Sequence, residues 1–172
     1  YTMRLIMFDL KLEEDFLPEV IKRVEELEKH HVEIGMFMEQ GKHDDSGFDY
    51  VALFKYLRDG DPTINMPPRS PLQVAEALNS MSSSGVKKDL KRYLSNLKAK
   101  PSTSEDDILE NIGAFYRNKT RDVFGDESKL APKSDYTKAL SSSPNTPLIE
   151  TGDLAKRVAY RVDDGDIKEI GR

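Results

Sequence analysis

Cysteine is absent from this 172-residue chain, and so is tryptophan. Without thiols there is no disulfide framework, no thiolate metal shell and no cysteine nucleophile. No apolar run approaches the ~20 residues of a membrane-spanning helix, and no signal-peptide pattern is visible. The expectation is synthesis in the cytoplasm with no membrane partner. Basic charge is short as well: 26 Lys and Arg stand against 31 Asp and Glu, a net charge of −5. That balance argues against sequence-independent nucleic-acid binding, which draws on a basic surface. No serine sits in a Gly-x-Ser-x-Gly elbow, and the helical His-x-x-x-His spacing is missing. Among 31 carboxylates any chosen pair is uninformative. The chain is read as a non-enzyme that needs no cofactor.

What remains is a lean globular composition, 37% apolar and 33% charged, enough for one domain spanning 1–172 with a buried core. Met3 to Leu12 alternates as a strand, apolar on both faces, which suits an interior strand or one covered by a neighbouring subunit. The spacing predicts a helix over 16–30, a strand over 32–38 and a short helix over 50–58 ended by Gly60. Pro62, Pro67 and Pro68 make 59–68 irregular. Ser70, Pro71 and Gln73 then open a helix that runs to the Ser82–Gly85 break. The period resumes from Val86 to about Ala99. A helix over 105–124 follows, with acids first and basic residues last, and with Ser102 and Glu105 offering a capping box. Asp126 to Pro147 is Ser-, Pro- and Lys-rich, a loop or arm that partners would order. A strand over 155–163 and a turn at Asp164-Gly165 close the pattern. The expected fold is α+β: a small, mostly antiparallel sheet on three to four helices, with an extended arm at about 126–154 before the last strand.

Few residues offer chemistry. His30, His31, His43, Asp44 and Asp45 form the one group resembling metal ligands, and a polar helix end and loop is the plainer reading. Asp163-Asp164-Gly165-Asp166 lacks the closing glutamate of a calcium loop and reads as a hairpin turn. Lys87, Lys88, Lys91 and Arg92 read as a solvated helix face. Interface residues are better candidates. Arg69 is fixed between prolines at a helix start, where its charge opposes the dipole, so a specific partner is expected. Pro144 to Leu154 is a proline-ruled loop entering an acidic Thr-Gly turn, a device for fixing a loop on a sheet.

Several segments fall in an order that resembles the tail-completion or neck proteins of long-tailed bacteriophages. They are Val32-Glu33-Ile34-Gly35-Met36-Phe37, then Val51-Ala52, then Met66 to Pro71, then Ile112-Gly113 inside a helix, and last Pro147 to Leu154. The likeness covers roughly 15–163. Phe54 to Leu57 stand where that family has an acidic residue and a glycine, and Pro68-Arg69-Ser70-Pro71 replaces its Pro-Arg-Pro-Phe. The resemblance implies a virion protein made in the host cytoplasm, a hexameric or twelvefold ring completing the tail. Its neighbours would be the tail terminator, tail tube or head connector, and DNA would be passing cargo. Pro67, Pro68, Arg69, Leu148, Ile149, Glu150, Thr151, Gly152 and Asp153 would then be interface residues. Two other readings stay open: a small cellular adaptor that binds one partner protein, and a metal-dependent hydrolase using His43.

Overall fold

The computed structural model describes residues 16–44, 46–79, 85–95 and 104–169. In chain order these form α1 (Leu17–Leu27), β1 (Val32–Gly35), a 3-10 turn (Met38–Gln40), α2 (Tyr50–Asp59), a second 3-10 turn (Pro62–Ile64), α3 (Pro71–Leu78), α4 (Gly85–Ser95), α5 (Glu105–Arg121), α6 (Asp135–Leu140), α7 (Asp153–Arg157) and β2 (Ala159–Val162). The fold is α+β. Among the described residues the sheet is one antiparallel pair, with Val32 opposite Val162 and Gly35 opposite Ala159.

Local chemistry explains the central helix, α5. Ser104 Oγ accepts from the Asp107 amide at 3.1 Å, and Asp107 Oδ2 accepts from the Ser104 amide at 3.1 Å, a reciprocal capping box. Three acids fill its first turn and Lys119 and Arg121 its last, as the helix dipole favours. One face of α5 lies against both strands, and α3 and α4 pack on it as well. Ile108 and Leu109 of α5 and Ala159 and Tyr160 of β2 are buried. Gly113 makes the close approach possible: a Cβ on it would sit 2.1 Å from Tyr160 Cδ2. Tyr160 turns its hydroxyl to Glu110 Oε2 at 2.5 Å, and Arg117 covers its ring at 5.1 Å.

Two apolar clusters flank this layer. Tyr50, Phe124, Leu154 and Val158 form one, with Phe54 stacked on Phe124 at 6.5 Å. Ala75, Val123 and Leu130 form the other. Leu148 packs on both. Each large side chain removed from water there contributes about 1.5–3 kcal/mol. On the far side, the buried Arg23 joins α1 to α4 by donating to the Tyr93 carbonyl at 2.5 Å, with its guanidinium over that ring.

Several elements differ from the sequence expectation. The strand expected over 32–38 stops at Gly35, because Gln40 folds back to accept from the Phe37 amide at 2.7 Å and closes a 3-10 turn. The final strand does not begin at 155. Gly152, with φ +78°, starts α7 first, and Ala159 opens the strand. Helix α5 ends at Arg121, with Val123 and Phe124 buried in the turn beyond it. Its cap is Ser104 with Asp107; Ser102 lies outside the described residues. Helix α3 closes at Asn79, whose amide side chain donates to the Ala75 carbonyl at 2.8 Å, so α3 and α4 are separate helices. The expected strand at 3–12 also lies outside the described residues.

The long connection over 126–152 is present, but the chain's own contacts order it, and it carries α6. Leu130 and Pro147 are buried against the body. It is a strap lying across the molecule.

Candidate functional site

The strap brings the two candidate interface segments together. Helix α2 ends where Gly60 takes φ +71°, a position at which a Cβ would lie 2.7 Å from the Met66 carbonyl oxygen. A tight turn follows, closed by Asp61 and Met66 exchanging backbone bonds at 2.9 and 2.8 Å. Pro67 and Pro68 then run extended until the Arg69 amide donates to the Leu57 carbonyl at 2.8 Å. Arg69 does not point outward to a partner as its helix-start position suggests. It is buried, donating through Nε to the Ala131 carbonyl at 2.6 Å and through Nη2 to the Pro132 carbonyl at 2.5 Å. The mismatch with the dipole of α3 is answered from within the chain, by two carbonyls of the strap.

From that anchor the strap passes Lys133, in the Ser-, Pro- and Lys-rich stretch expected to be a loop or arm ordered by partners. Its side chain is 9% exposed. The ammonium donates to Ser141 Oγ at 2.6 Å, to the Ser143 carbonyl at 2.8 Å, to the Ile149 carbonyl at 2.8 Å and to Glu150 Oε2 at 3.0 Å. Three N–H donors are thus shared among four acceptors. Glu150 collects further donors: the Ser141 hydroxyl, the Ser142 hydroxyl at 2.6 Å and the Ser142 amide at 2.7 Å. These bonds, from Ser141 first and then Ser142 and Lys133, hold its carboxyl far below the usual range.

Within this knot Leu148 adopts φ +61°, a left-handed backbone that is an outlier for a residue of its bulk. Such strain, on the order of 1–3 kcal/mol, persists only where the surroundings over-determine it. The surroundings here are Pro147, whose carbonyl accepts from the Gly125 amide at 2.9 Å, and Ile149, whose amide donates to the Thr146 carbonyl at 3.1 Å. Beyond it Thr151 Oγ1 accepts from the Asp153 amide at 3.3 Å, and Asp153 opens α7. Asp153 Oδ2 accepts from the hydroxyl of the buried Tyr50, and Arg157 lies over that ring at 5.0 Å. Burial first, and then donation to this carboxylate, push the Tyr50 phenol up.

Two adjoining depressions result. One, of about 590 Å³, is lined by Ile64, Pro67, Pro132 and Leu148. The other, of about 280 Å³, runs along Leu53, Leu57, Ile149 and Thr151 to Asp153. Lys133, Thr137 and Leu148 border both. Ile64, on the lining of the larger one, is 64% exposed, and α6, which supplies Thr137 to both, leaves Tyr136 78% and Leu140 72% exposed. An apolar, rigidly edged concavity of this kind suits protein contact.

The other candidate clusters are occupied with each other. Asp163, at φ +50°, holds the end of the β1–β2 pair: Oδ2 lies 2.7 Å from His30 Nδ1, and Oδ1 accepts from the His31 amide at 2.9 Å. The hydrogen bond with Asp163 raises His30, and the same bond, followed by that from the His31 amide, lowers Asp163. The turn at Gly165 is closed by its amide donating to the Val162 carbonyl at 3.0 Å. His43 lies apart from this pair, 3.2 Å from Ser46 Oγ and edge-on to Tyr50. Among the described residues no group of three His, Asp or Glu is arranged to hold a metal ion. Lys87, Lys88, Lys91 and Arg92 lie on an exposed face of α4, Arg92 paired with Asp89 at 3.3 Å.

No protein-family model, curated protein or solved structure matches this chain.

Proposed function

We propose that this chain is a structural virion protein of the neck and tail-completion kind. It assembles as a ring of six or twelve copies that completes the tail of a long-tailed phage. There it joins the tail tube or terminator to the head connector. It is made in the host cytoplasm, acts in the virion without catalysis or cofactor, and lets DNA pass as cargo. The net charge of −5 suits a channel wall along which DNA slides.

The observation that carries this reading is the adjacency of Pro67 and the Leu148–Asp153 loop. These segments lie far apart in the chain and belong to the motif order that resembles the family. They edge neighbouring apolar depressions, with Ile64 exposed on one of them and Tyr136 and Leu140 exposed on α6, the helix that supplies Thr137 to both. A heterologous contact made with such a face on each copy closes a ring when the rotation per subunit suits.

The experiment is the mass of the purified chain in solution by light scattering, alone and with extracts of assembled tails. A closed ring, or a monomer that becomes a ring on tails, is the expected result. Ile64→Asp and Tyr136→Asp, both at exposed positions, should abolish it without changing the fold. A monomer indifferent to tails would sink the reading and leave a single-partner adaptor in its place.

A further inference from the structure

We infer that Lys133 is the positioning residue of the docking loop, a single ammonium that sets the shape of residues 141–150. Four acceptors converge on it from both ends of that stretch: the Ser141 hydroxyl and Ser143 carbonyl near its start, and the Ile149 carbonyl and Glu150 carboxylate at its end. Between these ends the chain reverses through Pro144 to Pro147 and puts Leu148 in its left-handed conformation. Apolar contact fixes only one end of this stretch, where Pro147 is buried and Leu148 and Ile149 pack on the apolar clusters; Ser141, Ser142, Asn145 and Glu150 are polar. Directional bonds to one charged, largely enclosed group tie the serine-rich start of the stretch to that packed end.

The cost structure is asymmetric. With the ammonium in position, two carbonyls, a hydroxyl and a carboxylate are satisfied together, and ion-assisted hydrogen bonds are the stronger kind. With it removed, the Ser143 and Ile149 carbonyls keep only their bonds from Thr146, and the Glu150 carboxylate loses its cation, the stronger kind of bond to lose. The loop then regains freedom and Leu148 relaxes from its strained backbone. Lys133 also borders both depressions, so the group that shapes the loop separates the two halves of the proposed docking face. This inference takes its purpose from the docking role proposed above.

The test is amide hydrogen exchange on the isolated chain with Lys133→Met, a variant of similar length without the charge. Gly125, Thr146 and Ile149, whose amides donate within or to the strap, should exchange at least tenfold faster. The amides of β1 and β2 should keep their rates. Glu150→Gln, which keeps the side-chain shape, should give a smaller acceleration at the same positions and serves if Lys133→Met folds poorly. Unchanged exchange in the strap would overturn the inference. So would equal acceleration of strap and sheet, which would make Lys133 a general stability residue. Self-association of the same variants is read separately. A loop that opens while rings form undiminished would uphold the positioning role and count against the docking face.

Discussion

Around α5 the chain is held by shape, and around the strap it is held by a few directed bonds. Where α5 meets β2, Gly113 lets the Tyr160 ring lie almost on the helix backbone, and Ile108 and Leu109 of α5 and Ala159 of β2 are buried as well. Contact there is spread over many atoms, so no single bond decides the geometry. The strap buries Leu130 and Pro147, rests Leu148 and Ile149 on the apolar clusters, and is tied down by two cations, Arg69 and Lys133, that reach backbone carbonyls. The first arrangement makes a scaffold. The second fixes the conformation of a surface loop whose apolar packing is confined to a few side chains.

The comparison can be broken most severely at Gly113. Gly113→Ala forces a methyl group into the Tyr160 ring, and overpacking of this kind costs about 3 kcal/mol. For a chain of this size that lowers the melting midpoint by roughly 6–12 °C. A denaturation midpoint within error of the unaltered chain would show that α5 and β2 do not meet as described. Of similar size is Arg69→Met, which removes two charge-assisted bonds to the strap, about 3 kcal/mol in total. Proteolysis should then cut first within 126–150 while the sheet stays protected. Equal susceptibility of both regions would erase the distinction between them.

A smaller change sharpens the boundary between the two regions. Tyr50→Phe removes the hydroxyl that donates to Asp153 and keeps the ring in its apolar cluster. The expected loss is about 1 kcal/mol by chemical denaturation. The smallest effect is at the sheet end, where His30 and Asp163 face each other. A His30 value raised above 6.5 gives stability that is complete below pH 6.5 and lost as pH rises through the raised value. An Asp163 value lowered below 3.8 gives stability present above pH 3.8 and lost as pH falls through the lowered value. The gap in midpoint between the unaltered chain and His30→Gln should therefore be widest between about pH 4 and 6.5 and should narrow in alkaline buffer. A gap constant from pH 4 to 9 would remove the ion pair from the account.

How much of this was legible in the sequence follows the same division. Helices with their own caps and stripes were readable: Ser70 before Pro71, Gly60 after α2, and the charge order along α5 all report local chemistry. The short α7 was hidden because Val158, Tyr160 and Val162 alternate as a strand does, and Gly152 gives no hint that five residues of helix intervene. The limits of β1 depend on Gln40, which is itself anchored to the Arg157 carbonyl at 2.6 Å and to Glu169, contacts that no local window contains.

At the candidate site, the turn at Thr151-Gly152 and the importance of residues 67–69 could be read, but the direction of Arg69 could not. Its partners are 62 and 63 residues away. Lys133 was missed for a related reason. A lysine among serines and prolines looks like solvated loop, and its meaning depends on Glu150 and two carbonyls returning to it. The signal that could have found it is the pairing of one lysine with one glutamate across a serine-rich reversal, which is weak until the loop's shape is known.

The account turns on whether the face edged by Pro67 and Leu148 is covered in the assembled protein. The most direct measurement is photo-crosslinking from a benzophenone side chain in place of Tyr136, the exposed neighbour of Thr137, which lines that face. A second probe at Lys87 on α4 serves as the control. The prediction is a ladder of linked copies from position 136, closing at the ring number, with little product from position 87. Equal, weak products from both positions at every protein concentration would contradict it.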